Sequence, residues 1–254
     1  MTASVRILDT GLRPARWNVA MTAALVERHV AGSTRDTIRF HRYPACVLVG
    51  RGQDVTQAAD MDYCRAQGLE IARRVTGGGA VYMSPRMLAW DVIVDRAAFG
   101  GDLERITCRI CSGVAAGLAR YGVPARFRAP NDIEINGLKV SGSSGYVDGR
   151  NAVLQGTVLI DDETLAMARA LRIPEPALRD RVTSLADVLG YPLAVTDIRD
   201  SILSGLSKAL QRTPAMDQPS ADEIACVERL LDEEIGTDEF VVGVAPPPLA
   251  KGVA

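Results

Sequence analysis

The chain has 254 residues, of which 47% are hydrophobic and 24% are charged, and these values are ordinary for a soluble globular protein. The net charge of −2 gives no electrostatic case for nucleic-acid binding, and no apolar run reaches the roughly 18 residues that a membrane span requires. Five scattered cysteines, an odd number, argue against a disulfide framework. The first residues lack the apolar stretch of a secretory signal, so we expect a cytoplasmic protein.

The pattern of apolar residues predicts an α+β chain. Its first half is predicted as strand 5–9, helix 17–31, two short strands that Pro44 separates, helix 56–67, strand 69–75, a long strand-like segment from the glycine triplet through 95, and helix 104–122. Three strands follow at 132–135, 139–146 and 152–160, joined by hairpin turns at Asn136-Gly137 and Asp148-Gly149. Helices 162–171, 177–190 and 196–211 come next, then a linker at 213–220 and a last helix at 220–234. We therefore predict one domain over 1–212 and a small helical tail over 213–254.

Lysine is rare in this chain. Of 29 basic residues only Lys139, Lys208 and Lys251 are lysines, so a lysine inside a motif indicates a need for a compact ammonium rather than a planar guanidinium. Lys251 lies in the tail and Lys208 lies on a predicted amphipathic helix. Lys139 lies on a predicted hairpin strand among small residues, in GLKVSGSSGY, where it could hold a phosphate. The alternative is a solvated hairpin lysine.

A glycine triplet is the strongest local signal. The segment RRVTGGGAVY at 73–82 places three glycines between two strands, where backbone N–H groups can bind phosphate or carboxylate oxygens, and the paired arginines add positive charge beside them. Its spacing is neither that of a P-loop nor that of a dinucleotide fingerprint. The alternative is a tight, flexible turn. The segment Gly50-Arg51-Gly52-Gln53, which closes the strand CVLVG, could line a pocket nearby.

Together these segments resemble the lipoate–protein ligase A family, within the superfamily of biotin and lipoate ligases and octanoyltransferases. The matching motifs occur in the same order: Gly50-Arg51-x-Gln53, RRVTGGGAVY, Asn131-Asp132, GLKVSGSSGY and Gln155-Gly156-Thr157. The resemblance runs from Trp17-Asn18 to the RVTSL segment at 181–185. It implies a mixed or antiparallel sheet flanked by helices, as in class II aminoacyl-tRNA synthetases and biotin ligases, around an adenylate-binding cleft.

The resemblance also implies roles for single residues. Lys139 matches the catalytic lysine that contacts the acyl carbonyl and the phosphate of an acyl-adenylate, and such a lysine stabilises the charge that builds as an amine attacks. Asp132 matches a carboxylate that acts through magnesium. The implied substrate- and adenylate-binding residues are Arg51, Arg74, Thr76, Gly77, Gly78, Gly79, Ala80, Val81, Tyr82, Asn131, Asp132, Ser141, Gly142, Gly156 and Thr157.

The implied activity is that of a lipoate–protein ligase. It would use ATP and Mg²⁺ to convert lipoate to lipoyl-AMP and pass the lipoyl group to a lysine of a lipoyl domain or a glycine-cleavage-H-like acceptor, with a separate helper subunit as a further partner. Two alternatives are an octanoyl or lipoyl transferase of the same fold and a non-catalytic homologue that binds lipoyl-AMP or the carrier.

Several positions depart from the family pattern. Met83 replaces a histidine after GGGAVY, Thr22 and Ala23 stand where the first helix has an acidic residue, and Gln155 replaces a histidine before Gly-Thr. Only residues 213–254 remain for an accessory domain.

The cysteines bear on the choice between ligase and transferase. In related transferases the nucleophilic cysteine lies a few residues before the position of Pro130, and this chain has no cysteine at 126–129. Cys108 and Cys111, one helical turn apart, are interpreted as packing residues. A cysteine-dependent transferase is therefore disfavoured.

Overall fold

The computed structural model describes residues 3–243, and eleven strands within this range form two sheets. The strands are β1 (Ser4–Leu12), β2 (Thr37–Arg42), β3 (Cys46–Val49), β4 (Glu70–Arg73), β5 (Val81–Met83), β6 (Met87–Asp95), β7 (Arg126–Arg128), β8 (Asp132–Ile135), β9 (Leu138–Asp148), β10 (Asn151–Leu159) and β11 (Thr213–Met216). Eight of them form a sheet in the order β11-β1-β2-β6-β10-β9-β8-β7, and β4, β3 and β5 form a smaller one. Strand β1 pairs in parallel with β2 and β11, whereas the pairs from β2 to β7 are antiparallel. The predicted mixed sheet is confirmed.

Ten α-helices lie within the same range. They are α1 (Ala15–Val30), α2 (Val55–Ala58), α3 (Met61–Ala66), α4 (Leu103–Leu118), α5 (Thr164–Ala170), α6 (Glu175–Arg179), α7 (Leu185–Leu189), α8 (Val195–Leu210), α9 (Ala221–Glu233) and α10 (Asp238–Val242). Two predicted helices are each divided in two because a new N-cap begins inside them. Asp60 caps α3, and Ser184 forms a capping box with Asp187 at the start of α7. The single helices predicted at 56–67 and 177–190 were therefore wrong.

The large sheet packs against a different layer on each face. One core contains Trp90 of β6 with residues of α4 and α8, such as Ile110 and Leu206. The other contains Met21 of α1 and Val47 of the small sheet. Side chains alternate along β6 between these two cores. Residues of the glycine-turn segment, among them Val75, Ala80 and Val81, pack against the second core.

The described part of the tail packs onto the large sheet. Residues 213–216, predicted as a linker, form β11 beside β1, and the linker prediction was wrong. Arg6 of β1 forms a buried ion pair with Glu223 of α9, at 2.5 Å, which fixes the tail to the sheet. The boundary at residue 212 stays a prediction, and Lys251 lies outside the described residues. No helix within 3–243 is both long and apolar enough to cross a membrane.

Candidate active site

The glycine turn and the segment after β3 lie against each other. A Cβ added to Gly50 would lie 1.9 Å from the carbonyl oxygen of Gly78, so no larger residue fits at position 50. The backbone N–H of Arg51 donates to the carbonyl of Thr76 at 2.9 Å. Glycines 77–79 themselves are exposed, and Gly78 has a φ of 88°. The two segments predicted to line one pocket are therefore neighbours, with the glycine turn open to solvent.

Arg74 supports the glycine turn from inside. Its guanidinium donates to the carbonyl of Gly77 at 2.7 Å, to that of Gly79 at 3.0 Å and to that of Leu48 at 3.1 Å. Burial lowers the pKa of Arg74 to about 10. The guanidinium of Arg73 is likewise held by backbone carbonyls. The sequence analysis expected the arginine pair to add charge beside a ligand. Both guanidinium groups bind backbone carbonyls, and a role of Arg74 toward a ligand stays a prediction.

Lys139 lies at the start of β9, close to Asp132 of β8. Its Nζ is 2.6 Å from Asp132 Oδ1, and the side chain of Lys139 is 35% exposed. Its backbone is fixed as well: the N–H of Lys139 donates to the carbonyl of Arg181, and the N–H of Thr183 donates to that of Lys139, both at 2.9 Å. The RVTSL segment therefore holds the strand from which the lysine projects. The side chain of Lys139 remains partly accessible, as a group that contacts a ligand must be.

Gly142 makes room for this lysine. A Cβ built on Gly142 would lie 2.6 Å from both Cε and Nζ of Lys139, so the lysine side chain passes directly over the glycine backbone. The predicted residues Lys139, Asp132 and Gly142 thus form one cluster.

Hydrogen bonds join this cluster to the glycine turn. The amide of Asn131 donates to the carbonyl of Ser143 at 2.5 Å, and the hydroxyl of Ser143 donates back to the carbonyl of Asn131 at 2.9 Å. One residue further along β9, the hydroxyl of Ser144 donates to Oγ1 of Thr76 at 3.0 Å. The structure therefore brings together the three motifs that the sequence analysis predicted to act together.

A network of buried, hydrogen-bonded side chains lies beneath the glycine turn, and the sequence analysis did not predict it. Thr76 donates to Oε1 of Gln155 at 2.9 Å, and Nε2 of Gln155 donates to Oδ1 of Asp91 at 3.0 Å. Asp91 also accepts from Arg39 at 3.1 Å and from Thr22 at 2.9 Å. Arg39 and Asp91 are at most 1% exposed. Charged residues inside otherwise apolar strands were the signal that could have revealed this pair.

The remaining predicted site residues lie in more than one environment. Gly156 faces Trp90, since a Cβ there would be 2.0 Å from the indole, and its small size therefore serves packing. Thr157 pairs with Gly142 across β9 and β10. Ser141 is 1% exposed and Tyr82 is 6% exposed within the core. The partly buried residues Ala80 and Val81 pack against that core.

A magnesium ion at Asp132, as the sequence analysis expected, would have the carboxylate of Asp132 as its protein ligand. Oδ2 of Asp132 also accepts from Arg128 at 2.8 Å, and no group of three His, Cys, Asp or Glu side chains that could hold a metal is found within 3–243. A single carboxylate fits a magnesium ion that takes its other ligands from phosphate oxygens and water. It does not fit an all-protein metal site.

One cysteine lies near the hairpin. The Sγ of Cys111, on α4, is 3.4 Å from Oγ of Ser143, but its side chain is fully buried. Burial raises the pKa of this thiol to about 11, although the hydrogen bond with Ser143 acts in the opposite direction. A thiol with this pKa is almost wholly protonated at neutral pH and is a poor nucleophile.

A family model described as the lipoyl protein ligase A/B catalytic domain matches residues 14–207. The chain belongs to this family. It is 29% identical over 271 residues to the octanoyltransferase LipM of Symbiobacterium thermophilum, with 94% of this chain and 98% of that protein covered. It is 24% identical over 223 residues to lipoate-protein ligase A subunit 1 of Thermoplasma acidophilum, with 82% and 84% covered.

Solved structures show the same fold. The bi-partite lipoate protein ligase of Thermoplasma acidophilum, solved in a study of that ligase and its E2 lipoyl domain, superposes with a TM-score of 0.86 at 22% identity, covering 98% of this chain and 99% of that chain. The predicted family and fold class are confirmed. Family members are enzymes that handle lipoyl or octanoyl groups, and both ligases and transferases are among the relatives of this chain.

Proposed function

We propose that this chain is an acyl–protein ligase that works through an acyl-adenylate, with lipoate or octanoate as the acyl group. The observation that carries the proposal is the combination of a half-accessible lysine with no accessible thiol beside it. Lys139 lies in the motif cluster, whereas Cys111, the cysteine that contacts the hairpin, is fully buried with a raised pKa. These features support chemistry at an activated anhydride rather than at a thioester.

In an acyl-adenylate the acyl carbonyl is joined to the phosphate of AMP. The amine of the acceptor lysine attacks the carbonyl carbon, a C–N bond forms, the C–O bond to the phosphate breaks, AMP leaves with the electron pair, and the amine releases a proton. Lys139, held by Asp132 at 2.6 Å, would stabilise the negative charge that builds on the carbonyl and phosphate oxygens. The N–H groups of the glycine turn, whose three glycines are exposed, would bind phosphate oxygens.

Formation of the adenylate requires ATP, which we propose as a substrate together with Mg²⁺. Asp132 is the carboxylate that fits such an ion. When nucleotide binds, Asp132 would give up its contact with Lys139 or with Arg128 and bind the metal instead. The ion would offset charge on the phosphates.

The second candidate is an octanoyltransferase. It is favoured by the relative from Symbiobacterium thermophilum, which bears that name and aligns over 98% of its own length. This reaction would need a thiolate in the cleft, and Cys111 is the cysteine within reach of the hairpin. Helix α4 would have to move to expose it.

We propose a lipoyl domain or a glycine-cleavage-H-like protein as the acceptor, and a separate helper subunit as a second partner. The support is the bi-partite ligase of Thermoplasma acidophilum, which was solved in a study that includes its E2 lipoyl domain. We also propose that the protein acts in the cytoplasm, in keeping with its five free cysteines.

The deciding experiment measures AMP and pyrophosphate release by the purified chain with ATP, lipoate or octanoate, and a lipoyl domain. A parallel reaction supplies lipoyl-AMP in place of ATP and lipoate, because this bypasses any helper needed for activation. Transfer from lipoyl-AMP supports the ligase. Transfer only from an octanoyl carrier protein, without nucleotide, supports the transferase, and tight binding of lipoyl-AMP without transfer indicates a non-catalytic homologue.

A further inference from the structure

Arg73, at the end of β4, lies under the segment 50–53 that follows β3. Its Nη1 donates to three of the four carbonyls of this segment, those of Gly50 at 3.0 Å, Arg51 at 2.9 Å and Gln53 at 2.8 Å. The side chain is 1% exposed. One guanidinium nitrogen therefore orients the carbonyls at both ends of the segment.

The rest of the same guanidinium binds the C-terminal helix. Nε of Arg73 donates to the carbonyl of Phe240 at 3.0 Å, and Nη2 donates to that of Val241 at 2.7 Å. These carbonyls lie in the last turn of α10. The carbonyls of a helix's last turn have no N–H partner within the helix, and this end of the helix carries partial negative charge. Arg73 thus caps α10 and holds the segment 50–53 at the same time.

Backbone carbonyls are the hydrogen-bond partners given for this buried charge within residues 3–243. Burial lowers the pKa of Arg73, and the charge of Asp54 acts in the opposite direction without a direct ion pair to Arg73 in the described residues. A buried cation requires such partners, since an unpaired one is strongly unfavourable. Losing the α10 carbonyls would therefore leave the guanidinium underpartnered and free to shift together with the segment it holds.

The segment 50–53 in turn lies directly behind the glycine turn. Gly50 is so close to the carbonyl of Gly78 that a Cβ would overlap it at 1.9 Å, and the N–H of Arg51 donates to the carbonyl of Thr76 at 2.9 Å. A displacement of Gly50 cannot be absorbed without moving the glycine turn. A continuous path of contacts thus joins α10 to the turn that faces the ligand.

We infer that α10 is a functional part of the ligand site, and that Arg73 is the positioning residue through which it sets the glycine turn. The ligand, an acyl-adenylate, is the one given by the proposed function, and the inference rests on it for that identity alone. The consequence is that a catalytic unit ending at residue 212 would fold around a turn that is not held in its binding geometry. The tail acts on affinity rather than on the chemical step.

The test compares two truncations, one lacking 237–254 and one lacking only 244–254, which keeps α10. In the ligand-free proteins, hydrogen–deuterium exchange should be faster at 50–54 and 76–80 only when α10 is removed, with β6 and β10 unchanged. Calorimetry with lipoyl-AMP should show about tenfold weaker binding for the longer deletion. The full chain and the shorter deletion should bind alike, and KM rather than kcat should change.

Two substitutions complete the design. Arg73→Lys keeps the charge but cannot span both segments, so it should reproduce the longer deletion. Arg28→Gln is the control, because Arg28 binds the carboxylate of Asp222 at the start of α9 and these contacts involve neither α10 nor 50–53, and it should change affinity less than about twofold. Equal exchange in both truncations, or faster exchange throughout the sheet, would overturn the inference. If the full chain binds no acyl-adenylate, the proposed function fails, whereas the exchange data still decide this inference.

Discussion

The side chain of Lys139 lies across the backbone of Gly142, so closely that a Cβ at position 142 would come within 2.6 Å of the lysine Nζ. The atoms that would collide are the far end of a flexible side chain, so the fold can accommodate the change by moving the lysine. A methyl group at position 142 therefore tests the position of the ammonium without removing it.

We expect Gly142→Ala to lower acyl transfer at least about tenfold, approaching the loss in Lys139→Ala, because the displaced ammonium no longer lies beside the reacting oxygens. The melting temperature should change little. Activity and thermal unfolding are measured on the same preparations. Wild-type activity in Gly142→Ala would show that the position of the lysine seen here is not the one used in catalysis.

Lys139→Arg is the second prediction. It should reduce transfer to less than about a tenth, a barrier increase of roughly 1.4 kcal/mol, because a planar guanidinium cannot take the place of a compact ammonium beside Asp132 and Gly142. Lys208→Arg, on α8, is the matched control and should keep full activity. More than a tenth of the activity in Lys139→Arg would remove Lys139 from the chemical step.

The third prediction concerns the glycine turn. Gly78 has a φ of 88°, so any side chain there strains the backbone, by roughly 1–2 kcal/mol, whether or not a ligand binds. Gly79 has no such φ, and a Cβ on it would meet nothing within 4 Å. Gly79→Ala should therefore weaken binding of lipoyl-AMP about tenfold at unchanged stability, whereas Gly78→Ala should also lower the melting temperature. Calorimetry and thermal unfolding separate the two effects. Unchanged binding in Gly79→Ala would mean that the turn has only a structural role.

The part of this site that could be predicted from the sequence is the part that local chemistry determines. The hairpin at Asn136-Gly137 was predicted because an Asn-Gly pair favours the positive φ values that such a turn requires, and both residues have positive φ in the structure. The contact between Ser144 and Thr76 depends on tertiary packing, so the local sequence did not predict it.

Strand β11 was missed because Pro214 indicates a break. Proline is tolerated there since β11 is an edge strand that pairs only with β1. The Arg39–Asp91 pair was missed for a different reason. Each of the two is a charged residue in an otherwise apolar strand, and only the tertiary structure shows that they form an ion pair with each other.

A fourth prediction concerns pH. His29 is 5% exposed, with Nδ1 2.8 Å from Oδ1 of Asn151 and Nε2 3.1 Å from Oδ1 of Asp36. Burial acts to lower the pKa of His29, but these two hydrogen bonds outweigh it and raise the pKa above 6.5. A raised pKa in the folded state stabilises the protein at pH values below the unfolded pKa of about 6.5, and this stabilisation is lost as pH rises through the folded value.

The variant His29→Gln removes the titrating group. The difference in free energy of unfolding between wild type and His29→Gln should therefore be larger at about pH 6 than at about pH 8.5. Denaturant titrations at both pH values measure it. Parallel pH profiles for the two proteins would contradict the assignment of a raised pKa.

The fifth prediction decides between ligase and transferase, and it concerns the thiols. A thioester enzyme needs one reactive thiolate, which must be accessible and have a pKa near or below neutral. Burial instead raises the pKa of Cys111 to about 11 and that of Cys46 well above its usual range. The one exposed cysteine in the described range, Cys108, lies on α4 one turn from Cys111 and outside the motif cluster.

We therefore expect single replacements of every cysteine by serine or alanine to keep activity, apart from modest packing losses at the buried positions Cys46, Cys64, Cys111 and Cys226. Cys111→Ala is the sharpest of these variants, because this side chain alone contacts the hairpin through Ser143. Mass spectrometry after incubation with an octanoyl or lipoyl donor gives the direct measurement. An acyl adduct that forms on the wild type and disappears in Cys111→Ala would require α4 to expose the thiol during turnover. Because that movement would break the packing that raises the pKa of the thiol, such an adduct would place the transferase ahead of the ligase.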